Sequence, residues 1–174
     1  LIYLFLNVLY SLTLKKVFLV DIIVIAFGFI LRLFAGATVT DISLSHWIIV
    51  ITFLLASLLA VSKRMDTENI VSADSTSTSK LYTQKNIKVI ILILTISLIG
   101  VYIFFTLFSE IIINHNILYL PINSIFVIFG VTRYLYILSK NPINYDPIAI
   151  FFSDHLLKIT FILWILSFYV LSVI

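Results

Sequence analysis

Long apolar runs separated by short polar links dominate the pattern of this chain. A helix needs about 20 apolar residues to cross the ~30 Å hydrocarbon core of a bilayer, where it satisfies its own backbone hydrogen bonds. The pattern therefore predicts five membrane-spanning helices and one shorter apolar stub, which we interpret as the tail of a longer helix. The predicted spans cover residues 17–39, 48–61, 89–108, 117–139 and 159–174, and the stub covers residues 1–14.

Composition supports the same class of protein. The 174 residues are 62% hydrophobic and 11% charged, with a mean hydropathy of +1.21, whereas about a quarter of a soluble domain is charged. We expect an all-α, polytopic membrane helix bundle that forms one transmembrane domain over residues 1–174. The absence of cysteine excludes disulfides and thiolate metal sites, and the histidines at 46, 115 and 155 are too scattered to favour a histidine metal cage.

The cations of the polar links are distributed on one side only. The links at 15–16, 63–88 and 140–158 carry nine lysines and arginines, whereas those at 38–46 and 109–116 carry none. The positive-inside rule therefore predicts that the first set is cytoplasmic, in a plasma membrane. The net charge of +3 is then explained by topology and not by nucleic-acid binding. Residues 63–88, with a Ser/Thr-rich centre, are predicted to form a cytoplasmic polar loop.

A mixed-charge cluster marks the end of the second span. There the apolar run stops at Lys63 and Arg64, and Asp66 and Glu68 follow within about a turn. At a bilayer surface such a cluster can meet phosphates and divalent metals from water. The alternative is that the two cations only mark a cytoplasmic helix end and extend their side chains to lipid head groups.

Three charges fall inside the predicted spans, where each costs roughly 2.5 to 3.5 kcal/mol on insertion scales. Asp21 and Arg133 lie near cytoplasmic ends and are interpreted either as metal or phosphate contacts or as side chains that reach the surface. Arg32 lies ~16 Å deeper than Asp21 at 1.5 Å per residue, which favours a structural pair between helices. Gly28 and Gly36 are predicted to allow close packing of helices.

Several short motifs occur in a characteristic order along nearly the whole chain. They are Tyr10-Ser11-Leu12 with Leu14-Lys15, Asp21 with Gly28-Phe29 and Leu31-Arg32, Ala35-Gly36-Ala37, Lys63-Arg64 with Asp66, Tyr82, Arg133-Tyr134-Leu135-Tyr136, Asp146-Pro147 and Asp154. In these motifs the chain resembles the UbiA-type prenyltransferase superfamily, and within it the decaprenyl-phosphate phosphoribosyltransferase branch. The resemblance implies a nine-helix bundle, of which this chain supplies the last five helices and part of the fourth, with a site on the cytoplasmic side.

The resemblance also implies a reaction and its participants. Ordinary prenyltransferases of the superfamily have a second aspartate-rich motif where this chain has Lys63 and Arg64, and cations there suit a polyprenyl phosphate acceptor. The donor is phosphoribosyl pyrophosphate with Mg²⁺ as cofactor, and 5-phosphoribose passes to the lipid phosphate for cell-envelope precursor synthesis. The implied catalytic residues are Asp21, Asp66 and Glu68. The implied phosphate-binding residues are Lys15, Lys63, Arg64, Tyr82, Arg133, Tyr134 and Asp154.

Two departures from the family pattern bear on these expectations. The family's first aspartate motif, which holds Mg²⁺, lies upstream of residue 1, so no metal ligand is assigned and this chain alone is expected to transfer no phosphoribose. Thr67 stands where the branch usually has a glutamate, and Glu68 comes one residue later. The alternatives are a UbiA-type enzyme with a prenyl diphosphate donor, or an inactive remnant or transporter fragment. A homo-oligomer is compatible with the sequence, and membrane lipids are expected neighbours.

Overall fold

The computed structural model describes residues 18–71, 84–108, 120–140 and 146–173, with side chains described over 20–63, 86–108, 120–140 and 146–170. Every regular element in these ranges is helical, and the ranges contain no β-strand. In chain order the elements are α1 (Phe18–Thr40), α2 (His46–Val71), α3 (Gln84–Phe108), a 3-10 turn (Leu120–Asn123), α4 (Ser124–Lys140), α5 (Pro147–Ser153) and α6 (His155–Val173).

The membrane-crossing parts of the helices lie where the hydrophobic pattern predicts them. Four stretches are long and apolar enough to cross a bilayer, and they lie in α1, in α2, in α3, and in the 3-10 turn together with α4. A fifth is added if the bent pair α5 and α6 counts as one span. The predicted all-α membrane helix bundle is therefore confirmed. The apolar stub at 1–14 lies outside the described residues.

The polar segment predicted as a loop over 63–88 is helical at both ends. α2 continues past its apolar part to Val71, and α3 begins at Gln84. Lys63, Arg64, Met65 and Glu68 have high helix propensity, which explains why α2 does not end where its apolar run ends. The hydrophobic pattern thus marks the membrane-crossing part of a helix and not its full length. Residues 72–83 lie outside the described ranges.

A left-handed aspartate ends α1. Asp41 has a positive φ of 53°, and the amide of Ile42 donates to the carbonyl of Ala37 at 3.1 Å. This 6→1 hydrogen bond is the signature of a Schellman motif, in which aspartate replaces the usual glycine because its short polar side chain tolerates the left-handed region. The turn that follows allows the chain to reverse before α2 begins.

The described residues divide into two compact units, the first ending at Val61 and the second starting at Ser62, so that the boundary falls within α2. In the first unit, Phe27 of α1 meets Phe53 of α2 edge to face, with ring centroids 6.1 Å apart. Gly28 and Gly36 do not mark close packing as predicted. A Cβ added at either position would meet no atom within 4 Å in the part of the chain that the structure describes.

The second unit is organised around α4, which packs against α3 on one side and α6 on another. Gly130 is the close-approach position here, because a Cβ at this residue would lie 3.7 Å from the Thr160 methyl of α6. Leu98, Leu138 and Leu157 are buried in the three helices. No sequence pattern distinguishes Gly130 from Gly28, because the packing distance depends on which helices become neighbours.

Candidate functional site

An ion pair joins α4 to the start of α6. Nε and Nη2 of Arg133 both donate to Oδ2 of Asp154, at 3.2 and 2.7 Å. The other carboxylate oxygen, Oδ1, accepts a hydrogen bond from the Leu157 amide at 2.8 Å. Asp154 has extended backbone angles between α5 and α6, so its side chain caps the first turn of α6, where the helix dipole favours a negative charge.

The ion pair is only partly shielded from its surroundings. The side chains of Arg133 and Asp154 keep 29% and 15% of their surface exposed. The hydrogen bond from Arg133 is the largest influence on Asp154 and lowers the pKa of its carboxyl, while partial burial opposes this effect and the Leu157 amide adds to it. Because two of the five guanidinium N–H groups bind Asp154, the guanidinium has further donors with which to meet an anion.

A buried hydrogen bond connects α2 to α4 next to this ion pair. The Ser62 and Tyr134 hydroxyl oxygens lie 2.6 Å apart, with 0% and 8% of the two residues exposed. Lys63 follows Ser62 and Arg133 precedes Tyr134, so the bond joins the segments of α2 and α4 that carry these two cations. Lys63 itself is exposed.

Two further lysines extend the positive charge at this end of the second unit. Lys140 Nζ and the Arg133 guanidinium both lie near the Tyr136 ring, at 4.8 and 5.4 Å from its centroid. Lys158 Nζ donates to the Phe152 carbonyl at 3.0 Å. We call Lys63, Arg133, Lys140 and Lys158 the basic end. Sequence reasoning missed Ser62, Tyr136 and Lys140 as members of the site, although Tyr136 belongs to a motif that it quoted.

Among the residues that the structure describes, the opposite end of the second unit is polar but uncharged. Three hydrogen bonds between side chains cross it: Thr106 with Ser124 at 2.9 Å, Ser167 to Asn123 at 2.8 Å, and Trp164 to Tyr102 at 2.9 Å. We call these six residues the neutral end. Thr106, Ser124, Asn123 and Tyr102 are buried. A set of paired, buried, uncharged groups is suited to holding helices together.

The remaining predicted site residues are placed as follows. Asp21 is 1% exposed and lies in α1, in the first unit. The backbone of Arg64, Asp66 and Glu68 is helical, but their side chains lie outside the described residues, as do Lys15 and Tyr82 altogether. The Tyr134 hydroxyl points to Ser62, and Asp154 to Arg133.

Arg32, predicted to pair between helices, has an exposed side chain with its guanidinium 5.1 Å from the Phe29 ring centroid of the same helix. Arg32 and Phe29 lie one turn apart in α1, and the cation–π interaction between them stabilises the guanidinium.

The described side chains around the basic end do not form a magnesium site. Among the residues that the structure describes, no three His, Asp or Glu side chains are grouped so as to hold a metal ion. Asp154 is engaged by a guanidinium, and Mg²⁺ requires oxygen ligands in near-octahedral geometry. The Mg²⁺ that the resemblance implies therefore stays a prediction, and no step is derived through it.

A scan against protein-family models finds no match, and a search of curated proteins also finds none. The resemblance to the UbiA-type superfamily thus rests on the motifs quoted above and stays a prediction.

Proposed function

We propose that this chain belongs to a membrane transferase that moves 5-phosphoribose from phosphoribosyl pyrophosphate to a polyprenyl phosphate. The observation that carries the proposal is the Arg133–Asp154 ion pair, in which Asp154 holds two N–H groups of a partly exposed guanidinium whose other donors can meet an anion. This guanidinium, together with the exposed Lys63 at the end of the α2 span, suits a lipid phosphate, whose charge stays at the surface while its tail enters the bilayer. The motif order that resembles the UbiA-type superfamily supports the same conclusion.

Arg133 and Lys63 have different parts in this proposal. The planar guanidinium of Arg133 presents donors in a fixed fork that matches phosphate oxygens, whereas the ammonium of Lys63 acts as a mobile point charge. Both would bind the acceptor phosphate and lower the repulsion between it and the phosphates of the donor. An oxygen of the lipid phosphate then attacks the anomeric carbon of the ribose. The bond to pyrophosphate breaks, and pyrophosphate leaves.

Asp154 is proposed as a positioning residue. A carboxylate does not bind phosphate directly, because the two negative charges repel. In this structure Asp154 holds two N–H groups of Arg133, and its own orientation is fixed by the Leu157 amide. It therefore fixes the direction in which the remaining guanidinium donors point. This interpretation replaces the direct phosphate contact that the resemblance implied for Asp154.

The proposal places the basic end on the cytoplasmic side of the plasma membrane. Lys63 and Lys140 end the candidate spans in α2 and α4, Lys158 lies in the first turn of α6, and the six residues of the neutral end include no charged one. This asymmetry is the one that the positive-inside rule describes. Phosphoribosyl pyrophosphate is water-soluble and would reach the site from the cytoplasm.

A transfer assay tests the proposal. Membranes from cells that express the complete gene are incubated with ribose-labelled phosphoribosyl pyrophosphate, Mg²⁺ and polyprenyl phosphate, and the lipids are then extracted. We expect label in the lipid phase, and none when polyprenyl phosphate is omitted from lipid-depleted membranes. A parallel arm supplies labelled prenyl diphosphate with an aromatic acceptor. Transfer in that arm alone would support a prenyltransferase, and transfer in neither arm would contradict an enzymatic function of this class.

A further inference from the structure

The helices α5 and α6 meet at nearly a right angle. Their axes differ by 88°, and Asp154 alone separates them. α6 has 19 residues and is therefore about 28 Å long at 1.5 Å per residue, close to the thickness of the hydrocarbon core. When α6 crosses the bilayer along its normal, α5 must lie parallel to the membrane surface at the level where α6 begins.

The seven residues of α5 divide into three faces. Ile150 is buried, and Phe151 meets Phe161 of α6 edge to face with ring centroids 5.5 Å apart, so this face packs on the protein. Ile148 and Phe152, one helical turn apart, keep 66% and 67% of their surfaces exposed. The third face carries Ala149 and Ser153, which are also exposed.

The charges at the junction of α5 and α6 indicate which surroundings suit the exposed face formed by Ile148 and Phe152. Lys158 Nζ binds the Phe152 carbonyl, and the Arg133–Asp154 pair sits at the junction of α5 and α6. Cations at this depth match anionic lipid head groups, while an aromatic and a branched aliphatic side chain in the same plane match the upper part of the acyl chains.

We infer that α5 is an in-plane helix that inserts Ile148 and Phe152 at the boundary between lipid head groups and acyl chains. Ala149 and Ser153 face the aqueous side, and Lys158 lies at the head-group level. The partner is the bilayer itself, and a segment that the sequence suggests is a polar connection becomes a membrane-surface anchor. The inference needs only that α6 crosses the membrane. It does not depend on the proposed reaction or on which end of α6 is cytoplasmic.

Spin labelling tests the inference directly, because the 174 residues contain no cysteine that would compete for the label, and any cysteine elsewhere in the gene product is replaced by serine. Single variants Ile148→Cys and Phe152→Cys are labelled with a nitroxide, with Ala149→Cys and Ser153→Cys as matched controls on the same helix. The complete gene product is reconstituted in vesicles of phosphatidylcholine and phosphatidylglycerol. Power saturation then compares collisions of each label with oxygen, which partitions into lipid, and with a water-soluble nickel complex. All four positions are exposed, so the substitutions remove no buried contact.

The expected result is a several-fold higher ratio of oxygen to nickel collisions at 148 and 152 than at 149 and 153. Nickel access at 148 and 152 equal to that of the controls would mean that water covers the face and would overturn the inference. Protection of 148 and 152 from both reagents would mean that protein covers the face, and this would overturn it equally.

Discussion

The two ends of the second unit use polar groups in opposite ways. At the basic end, Arg133 and Asp154 are charged, partly exposed and joined by a salt bridge, and Lys63, Lys140 and Lys158 add positive charge. At the neutral end, hydroxyl groups, an indole N–H and the amide oxygen of Asn123 are paired across α3, the 3-10 turn, α4 and α6, and most of these residues are buried. Asn123 Nδ2 is buried and has no hydrogen-bond partner among the described residues. α4 and α6 contribute residues to both ends, so along these two helices the difference arises from the residues at each end.

The contrast between the two ends separates groups that stabilise the helix bundle from groups that can bind a ligand. A buried neutral hydrogen bond within a membrane bundle contributes about 0.6 kcal/mol on average and offers nothing to a ligand. A charged group that keeps part of its surface exposed contributes little to stability, but the donors that its partner leaves free can bind an anion. We therefore assign stability to the neutral end and ligand binding to the basic end.

The largest expected effect is the all-or-none response to a topology test. Cysteine placed at Lys140 should react with a membrane-impermeant thiol reagent only from the cytoplasmic side, because the cation-bearing links are predicted to be cytoplasmic. Cysteine placed at Asn114, in the polar link before the 3-10 turn, should react only from the outside. Labelling of intact and of inverted vesicles measures both. The reverse pattern would remove the basic end from the cytoplasm and with it the proposed access to a cytoplasmic donor.

A matched pair of tyrosine variants gives the next largest effect. Tyr134→Phe removes the hydroxyl that binds Ser62 at the basic end, and Tyr102→Phe removes the hydroxyl that binds Trp164 at the neutral end. Each should lower the free energy of unfolding by about 0.6 to 1.7 kcal/mol, measured by detergent titration. Only Tyr134→Phe should also raise the KM for polyprenyl phosphate several-fold, because Lys63 and Arg133 are then less firmly held. An equal effect of the two variants on KM would erase the distinction between the ends.

The smallest expected effect is a loss of stability from a change at the neutral end. Ser167→Ala removes the hydroxyl that donates to Asn123, and we expect a loss of about 0.6 kcal/mol in the free energy of unfolding with unchanged turnover. Ser139→Ala is the control, since this exposed hydroxyl binds only the backbone carbonyl of Tyr136 among the described contacts and should change neither quantity. A fall in turnover with Ser167→Ala would show that the neutral end is more than a structural contact.

Most of the fold could be predicted because apolar length is a strong signal in lipid. Runs of about 20 apolar residues define where a chain crosses the membrane, and α1, α3 and α4 follow the runs closely. The extension of α2 to Val71 and the right-angled corner before α6 were not predicted. The first depends on helix propensity outside the membrane, and the second on how Phe151 packs against Phe161, which no local pattern specifies.

The site was predictable as a set of charges but not as a set of contacts. Arg133 and Asp154 were both selected from the sequence as phosphate-binding residues, and the structure joins them to each other. Tyr134 belongs to the same predicted set, and it binds Ser62. Ser62 could not be predicted as its partner, because serine is common in membrane helices. Partners across helices depend on rotation about each helix axis, and a single sequence does not determine that rotation.

The central claim is that Arg133 has a role beyond its ion pair with Asp154, and a double-mutant cycle tests it most directly. Arg133→Gln, Asp154→Asn and the double variant are made in the complete gene product, and both unfolding and kcat/KM for polyprenyl phosphate are measured for each. The two single variants break the same ion pair, so they should reduce stability to a similar extent.

The kinetic results should differ between the two. Arg133→Gln removes the phosphate contact and should lower kcat/KM by about tenfold or more, the loss expected for a charge-assisted hydrogen bond. Asp154→Asn keeps the guanidinium and the acceptor for the Leu157 amide, and should lower kcat/KM only a few-fold. Equal losses of kcat/KM in the two single variants, in proportion to their losses of stability, would contradict the account and leave Arg133 as a structural residue.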